Sequence, residues 1–146
     1  MDTYNMIDFN KKKGFICDMD GVIYHGNRVL PGVAEFIQWL HDEDKEYLFL
    51  TNNSGYTPRE LHQKLERLGL DVSEEHFYTS ALATAAFLRD QAPGCSVFAI
   101  GEAGLLNALY DAGITMNDVN PDYVVVGEGR SYSLDTLTKA TNLVWK

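Results

Sequence analysis

The chain has 146 residues, of which 45% are hydrophobic and 12% aromatic, enough apolar material for one ordinary globular domain or a piece of a larger one. Twelve Lys and Arg against twenty-one Asp and Glu leave a net charge of −9, which excludes a basic face for the phosphate backbone of nucleic acid. A small phosphate ester stays open as a partner, provided that a metal ion, a lysine or aligned backbone N–H groups reverse the potential locally.

The opening residues, MDTYNMIDFNKKKGF, carry three lysines and no apolar stretch of signal-peptide length, and no later run approaches the ~18 residues of a membrane span. No membrane partner is expected, and the cytoplasm is the expected compartment. Next, Gly14 to Met19 has apolar side chains at consecutive positions, the pattern of a central parallel strand covered on both faces. A glycine-punctuated loop follows. After Pro31-Gly32, the residues Val33, Phe36, Ile37 and Leu40 recur at helical spacing, and the helix fades in the polar stretch His41 to Lys45. Tyr47 to Leu50 is a second strand. Thr57-Pro58 opens a helix with Leu61, Leu65 and Leu68 on one face and Gly69 as its stop.

A short strand His76 to Thr79, a helix Ala81 to Asp90 and a turn at Pro93-Gly94 continue the pattern. Then come a strand Ser96 to Ile100, a helix Ala103 to Ala112, a strand Tyr123 to Val126 and a helix Leu134 to Val144. Strand and helix alternate throughout, so the fold class is α/β with a parallel sheet. Cys17 and Cys95 show neither CxxC nor Cys/His spacing and read as buried free thiols.

In doubly wound sheets the ligand crevice lies beyond the carboxyl ends of the strands, and two segments deliver polar residues to that edge: DMDG at 18–21 and TNNSG at 51–55. Asp18 and Asp20 are two residues apart, so extended geometry sustained past the strand points both carboxylates one way. Gly21 then permits a tight turn. Two such carboxylates at ~4 Å repel by about 4 kcal/mol at an effective dielectric near 20. A hard divalent cation removes the conflict, and Mg²⁺ is commonly held by one or two carboxylates, waters and substrate phosphate oxygens. One carboxylate is then available to attack phosphorus and the other to handle the proton of the leaving oxygen. At the facing strand end, the Thr51 hydroxyl and the donors of Asn52 and Asn53 are suited to equatorial phosphate oxygens. The plainer reading of a lone DxD is a solvated acidic turn. The preceding apolar strand, the glycine and the second polar strand end one β-α unit later weigh against it.

With these residues in hand, DMDGVIY resembles the first signature of the haloacid dehalogenase superfamily of phosphohydrolases, and TNNSG resembles its second. NRVLPGVAEFI, FYTSALATAAFLRDQ and NDVNPDYVVVGEGRSYS resemble the NagD-like branch, phosphatases with an α/β cap that act on nucleoside monophosphates such as UMP. The likeness runs from about Lys13 to Trp145. It implies a Rossmann-like parallel core with the start of an inserted α/β cap, residues 1–80 being the first part of the core and 81–146 the first part of the cap. It implies that Asp18 is the nucleophile forming an aspartyl-phosphate and that Asp20 is the general acid, then base. Mg²⁺ would be held by the Asp18 carboxylate and the Asp20 carbonyl, and Thr51 and Asn52 would bind the transferring phosphoryl group, with Asn53 and Gly21 also expected on the phosphate.

The family pattern also calls for a phosphate-neutralising lysine and a GDxxxTD-type acidic signature after the cap. Neither precedes Lys146, and the late lysines Lys139 and Lys146 both fall in the presumed cap. A truncated chain is therefore expected, with an incomplete core sheet, self-association through it and little phosphatase activity alone.

Smaller signals are weighed in the same way. His25 stands in what the family makes a flexible flap and is a poor ligand for a hard cation; His41, His62 and His76 read as surface residues. The pairs Gly101/Gly104 and Gly127/Gly129 lack the third glycine of a dinucleotide fingerprint. Glu128 and Arg130 stand where a cap loop can reach over the site, as substrate-selecting residues or as an ordinary turn. Tyr132 is a base-stacking or a packing residue.

Two readings from other classes compete. A phospho-receiver domain also sets acidic residues and a threonine around a phosphorylated aspartate, but it needs that aspartate at the end of a later strand, where this chain has Thr51-Asn52-Asn53 and Thr79-Ser80. A non-catalytic partner-binding module is the other.

Overall fold

The structure, a computed structural model, describes residues 7–130 and 132–145. The late lysine at 146 lies outside the described residues.

The first unit is a parallel three-stranded sheet, β1 (Gly14–Asp18), β4 (Glu46–Thr51) and β5 (Phe77–Thr79), in the order β1-β4-β5. A two-stranded antiparallel hairpin, β2 (Tyr24–His25) and β3 (Arg28–Val29), and a helix, α1 (Val33–Asp42), separate β1 from β4. A second helix, α2 (Pro58–Arg67), separates β4 from β5. The chain thus moves across the sheet in one direction, which keeps both crossover helices on one face. Val33, Ile37 and Leu40 of α1 and Leu61 and Leu65 of α2 are buried with Tyr47, Phe49 and Phe77. Each large apolar side chain so buried contributes roughly 1.5–3 kcal/mol. The start of α2 is fixed locally: Thr57 and Glu60 form a reciprocal capping box, Pro58 follows the cap, and Gly69 at φ +82° ends the run.

The second unit is another parallel three-stranded sheet, ordered β7-β6-β8, of β6 (Ser96–Ile100), β7 (Thr115–Met116) and β8 (Tyr123–Val126). Its helices are α3 (Ser80–Gln91), α4 (Ala103–Asp111) and α5 (Leu134–Trp145). A separate buried cluster joins Ala81, Ala85 and Leu88 of α3 to Val97, Leu105 and Leu109.

Three expectations need correction. β1 is covered on one face only: Phe15 and Cys17 turn toward the helices, while Ile16 is 71% exposed. Leu48, Leu50 and Tyr78 are exposed beside it on the alternate positions of β4 and β5. The consecutive apolar pattern reflects two apolar faces, but the described residues supply helices to only one. Cys17 is accordingly half-buried, while Cys95 is buried. His62 and His76 are more engaged than a surface reading allows, while His41 is exposed as expected but has a side-chain partner. His76 stacks on Tyr47 with ring centroids 3.8 Å apart and meets the Tyr47 carbonyl at 3.0 Å, His62 meets the Val72 carbonyl at 2.8 Å, and His41 meets the Tyr47 hydroxyl at 2.9 Å.

The hairpin and β7 were absent from the sequence reading. Gly26-Asn27 between Tyr24-His25 and Arg28-Val29 is the two-residue turn signal that reveals the hairpin, with Gly26 at φ +61°. β7 has two residues, too few for any periodicity to register.

Candidate active site

Parallel pairing of β1 with β4 sets Asp18 opposite Leu50, so the residues that follow each strand emerge together at the carboxyl edge. Asp18 is the last residue of β1 and exposed, and its Oδ1 accepts the Met19 N–H at 2.9 Å. Met19 between the two aspartates is fully buried and anchors the turn, because its carbonyl accepts from Val22 and Ile23 at 3.2 and 2.9 Å. Gly21, at φ +79°, donates its N–H to the Tyr24 carbonyl at 2.8 Å. A side chain at Gly21 would be strained in that conformation.

The facing segment begins at Thr51, the last residue of β4 and 5% exposed. Its hydroxyl donates to Asp20 Oδ2 at 3.1 Å and accepts the Asn53 N–H at 3.1 Å. The two polar strand ends are therefore in direct contact. Asn52 is exposed, and its carbonyl accepts the Ser80 hydroxyl at 2.7 Å. Asn53 uses its side-chain oxygen within its own turn, accepting the Gly55 N–H at 2.7 Å. Glu128 and Arg130 are exposed on the turn after β8, and their backbones are fixed. The Glu128 N–H donates to Ser54 Oγ at 2.8 Å and the Arg130 N–H to Glu102 Oε1 at 2.7 Å. Tyr132 donates its hydroxyl to the Gly127 carbonyl, closing the same turn. Asn53, Gly55, Tyr56, Glu60, Glu128 and Arg130 line one cavity of about 670 Å³, so the loop after β4 and the Glu128–Arg130 turn share a wall.

The sequence reading overlooked Tyr24. It is 3% exposed, has the Asp20 carboxylate close enough to act on its phenol, and lies beneath Lys64, whose Nζ is 3.8 Å from the ring centroid. Burial first, and then the Asp20 carboxylate beside it, push the phenol up to about 12. It stays protonated at neutral pH. Its place in a hairpin across a Gly-Asn turn was the available signal. Ser54, inside TNNSG but given no role there, and Glu102 were also overlooked, and nothing in the local sequence marks Glu102.

Among the described residues no group of three or more His, Cys, Asp and Glu side chains is arranged to hold a metal. Asp18 and Asp20 are nonetheless oxygen donors of the hard type, both exposed at the strand edge and both near enough to act electrostatically on Tyr24. This set fits Mg²⁺ held jointly with a substrate phosphate and water, which needs only one or two carboxylates. Lys139 pairs with Asp118 at 2.8 Å and is occupied there.

Residues 15–115 match the model of the haloacid dehalogenase-like hydrolases, and the chain belongs to that family. It is 46% identical over 132 residues to the ribonucleotide monophosphatase NagD of Escherichia coli K12, covering 90% of this chain and 52% of that protein. It is 44% identical over 130 residues to a dihydroxyacetone phosphatase of Corynebacterium glutamicum, covering 89% of this chain and 47% of that one. The solved structure of NagD from Escherichia coli K-12 superposes with a TM-score of 0.86 at 45% identity, over 91% of this chain and 53% of that one. A p-nitrophenyl phosphatase structure from Bacillus subtilis gives 0.83 at 34% identity, over 92% and 52% of the two chains. The chain thus spans about half the length of these relatives, and the α/β, Rossmann-like fold class is that of their phosphatase fold.

Proposed function

We propose that the chain carries the nucleophile-bearing part of a Mg²⁺-dependent phosphomonoester hydrolase that works through an aspartyl-phosphate. Nucleoside monophosphates such as UMP, or similar small phosphates, are its substrates. In this reading residues 1–80 are the first part of the core and 81–146 the first part of a cap. A cytoplasmic location belongs to the same reading, and the two free thiols are compatible with it. The observation that carries the proposal is the 3.1 Å bond from the Thr51 hydroxyl to Asp20, which joins the two signature segments at the carboxyl edge of a parallel sheet. The relatives' activities on a ribonucleotide monophosphate and on dihydroxyacetone phosphate support a small monoester.

In the first half-reaction an Asp18 carboxylate oxygen attacks phosphorus while the bond to the leaving oxygen breaks and Asp20 gives that oxygen its proton. In the second, Asp20 takes a proton from water as the water attacks phosphorus, releasing phosphate and restoring Asp18. Thr51 holds Asp20 in place, and Asn52 and Asn53 bind phosphoryl oxygens. When bound, Mg²⁺ supplies positive charge that makes the carboxylates compatible with a phosphate dianion.

We infer further that the chain alone turns over slowly and associates with itself through the bare face of Ile16, Leu48, Leu50 and Tyr78, an apolar patch next to the open edge of β1. Titration with Mg²⁺ and beryllium fluoride tests the site: binding by the native chain and none by Asp18→Asn is expected. Sedimentation of the native chain and Ile16→Lys tests the face, with the variant smaller. A chain indifferent to the mimic is a binding module or an inactive fragment, and a monomer hydrolysing monoesters at ordinary enzyme rates refutes the self-association.

A further inference from the structure

The second sheet has a crevice of its own, and it is filled from within the molecule. β7 and β8 lie on opposite sides of β6, so the direction of travel across the sheet reverses there. Such reversals open a crevice beyond the carboxyl ends of the strands, where open α/β sheets take their ligands. Here that position holds the turn Ser54-Gly55-Tyr56, which continues directly from Thr51-Asn52-Asn53.

Glycines make the fit possible. A Cβ on Gly127, just past β8, would lie 2.7 Å from Ser54 Oγ, and one on Gly104, in the first turn of α4, would lie 2.5 Å from the Ser54 carbonyl oxygen and 2.6 Å from that of Tyr56. The Gly104 N–H donates to the Gly55 carbonyl at 3.0 Å. Ser54 is only 5% exposed, and its hydroxyl oxygen accepts the Glu128 N–H from a residue 74 positions away. On the other side, Glu102 Oε1 takes the Arg130 N–H. The turn bearing Glu128 and Arg130 is therefore held between a serine of the phosphate-side loop and a glutamate at the start of α4.

Within the loop the contacts run without a gap. Asp20 is held by Thr51, whose hydroxyl receives the Asn53 N–H; Asn53 Oδ1 receives the Gly55 N–H; and Ser54, between them, faces the other sheet. Any adjustment of Thr51 or Asn53 to a bound phosphoryl group shifts the base on which Ser54 stands.

We propose that Ser54 is a positioning residue whose hydroxyl registers the Gly127–Arg130 turn against the Thr51–Asn53 loop, so that occupancy of the phosphate side is transmitted to the turn that shares a cavity with Asn53. This rests on the phosphohydrolase reading. The role belongs to the hydroxyl oxygen, which is the acceptor the Glu128 N–H meets at 2.8 Å.

The test follows backbone amide signals of the whole chain while Mg²⁺ and beryllium fluoride are added. In the native chain the Asn53 and Glu128 amides both shift on titration. In Ser54→Ala, Asn53 still shifts, Glu128 no longer follows, and hydrogen exchange at the Glu128 amide accelerates about tenfold, the factor for one hydrogen bond of ordinary net strength. Gly127→Ala attacks the contact from the other side and gives the same pattern. A native-like Glu128 response in either variant overturns the proposal. So does a native chain in which Asn53 responds and Glu128 is silent. Silence at both amides of the native chain removes the phosphohydrolase reading and this inference with it.

Discussion

β1, β4 and β5 end in Asp18, Thr51 and Thr79, whereas β6 and β8 end in Ile100 and Val126, each followed by a glycine. Both sheets are parallel and three-stranded, and each has helices packed in its own buried cluster. Their carboxyl edges nevertheless do opposite things. The first edge presents oxygen atoms that bond to one another and to helix starts: Thr51 to Asp20, Thr79 to the Leu82 N–H at 3.2 Å. The second edge lacks side chains where another segment comes close: Ser54 Oγ occupies the space beside Gly127, and at Gly104, at the start of α4, the Ser54–Tyr56 backbone reaches hydrogen-bonding distance. One architecture thus yields a chemical edge or a docking edge, according to the residues just beyond the strands.

Core truncation gives the largest effect and the sharpest test of that division. Phe49→Ala, in the fully buried centre of the first cluster, is expected to cost about 3–5 kcal/mol and to abolish the response to Mg²⁺ and beryllium fluoride. Leu109→Ala, equally buried in the second, is expected to cost about 2–5 kcal/mol while the Asn53 amide still responds to the mimic. Urea titrations of both variants provide the energies. Loss of the response in Leu109→Ala would mean that the two edges do not divide the work.

A smaller change separates chemistry from shape at the strand ends. Thr51→Val keeps the side-chain volume but removes the donor to Asp20 and the acceptor for Asn53, with an expected loss of about 1–3 kcal/mol in stability and weaker binding of the mimic. Ile100→Val, at the matching end of β6, costs about 0.5–1.5 kcal/mol and leaves binding unchanged. Equal binding by Thr51→Val and the native chain, measured by calorimetry, would sever Thr51 from the site.

The last expectation is nil at neutral pH and emerges only in alkali. Tyr24 and Tyr47 both lie in the first cluster, and burial is the leading cause that pushes each up to about 12 from the ordinary 10.0. Between these values the unfolded chain has released protons that the native state retains, so stability is intact below about pH 10 and falls as pH rises toward 12. Urea midpoints at pH 9 and pH 11 measure the loss, which Tyr47→Phe should reduce.

Much of this was legible along the chain. Leu61, Leu65 and the Thr57-Pro58 start defined α2 because helical period and capping are properties of neighbouring residues. Asp18, Asp20 and Thr51 were legible because a strand end fixes where its next residues emerge. Tyr24 was hidden in a hairpin of two-residue strands, and β7 was too short to leave a pattern.

By itself the sequence determined the alternation of strands and helices, the family likeness and the two polar strand ends, since each is carried by residues close together in the chain. Only the tertiary structure decided which sheet face is bare, that Thr51 bonds Asp20 from 31 residues away, and that Ser54 receives an N–H from 74 residues away. Glycines that looked like a defective nucleotide fingerprint became the space for Ser54-Gly55-Tyr56. The physical reason is that periodicity and propensity act over a few residues, whereas close approach between distant segments depends on side chains that are missing, and a missing side chain has meaning only once its neighbour is known.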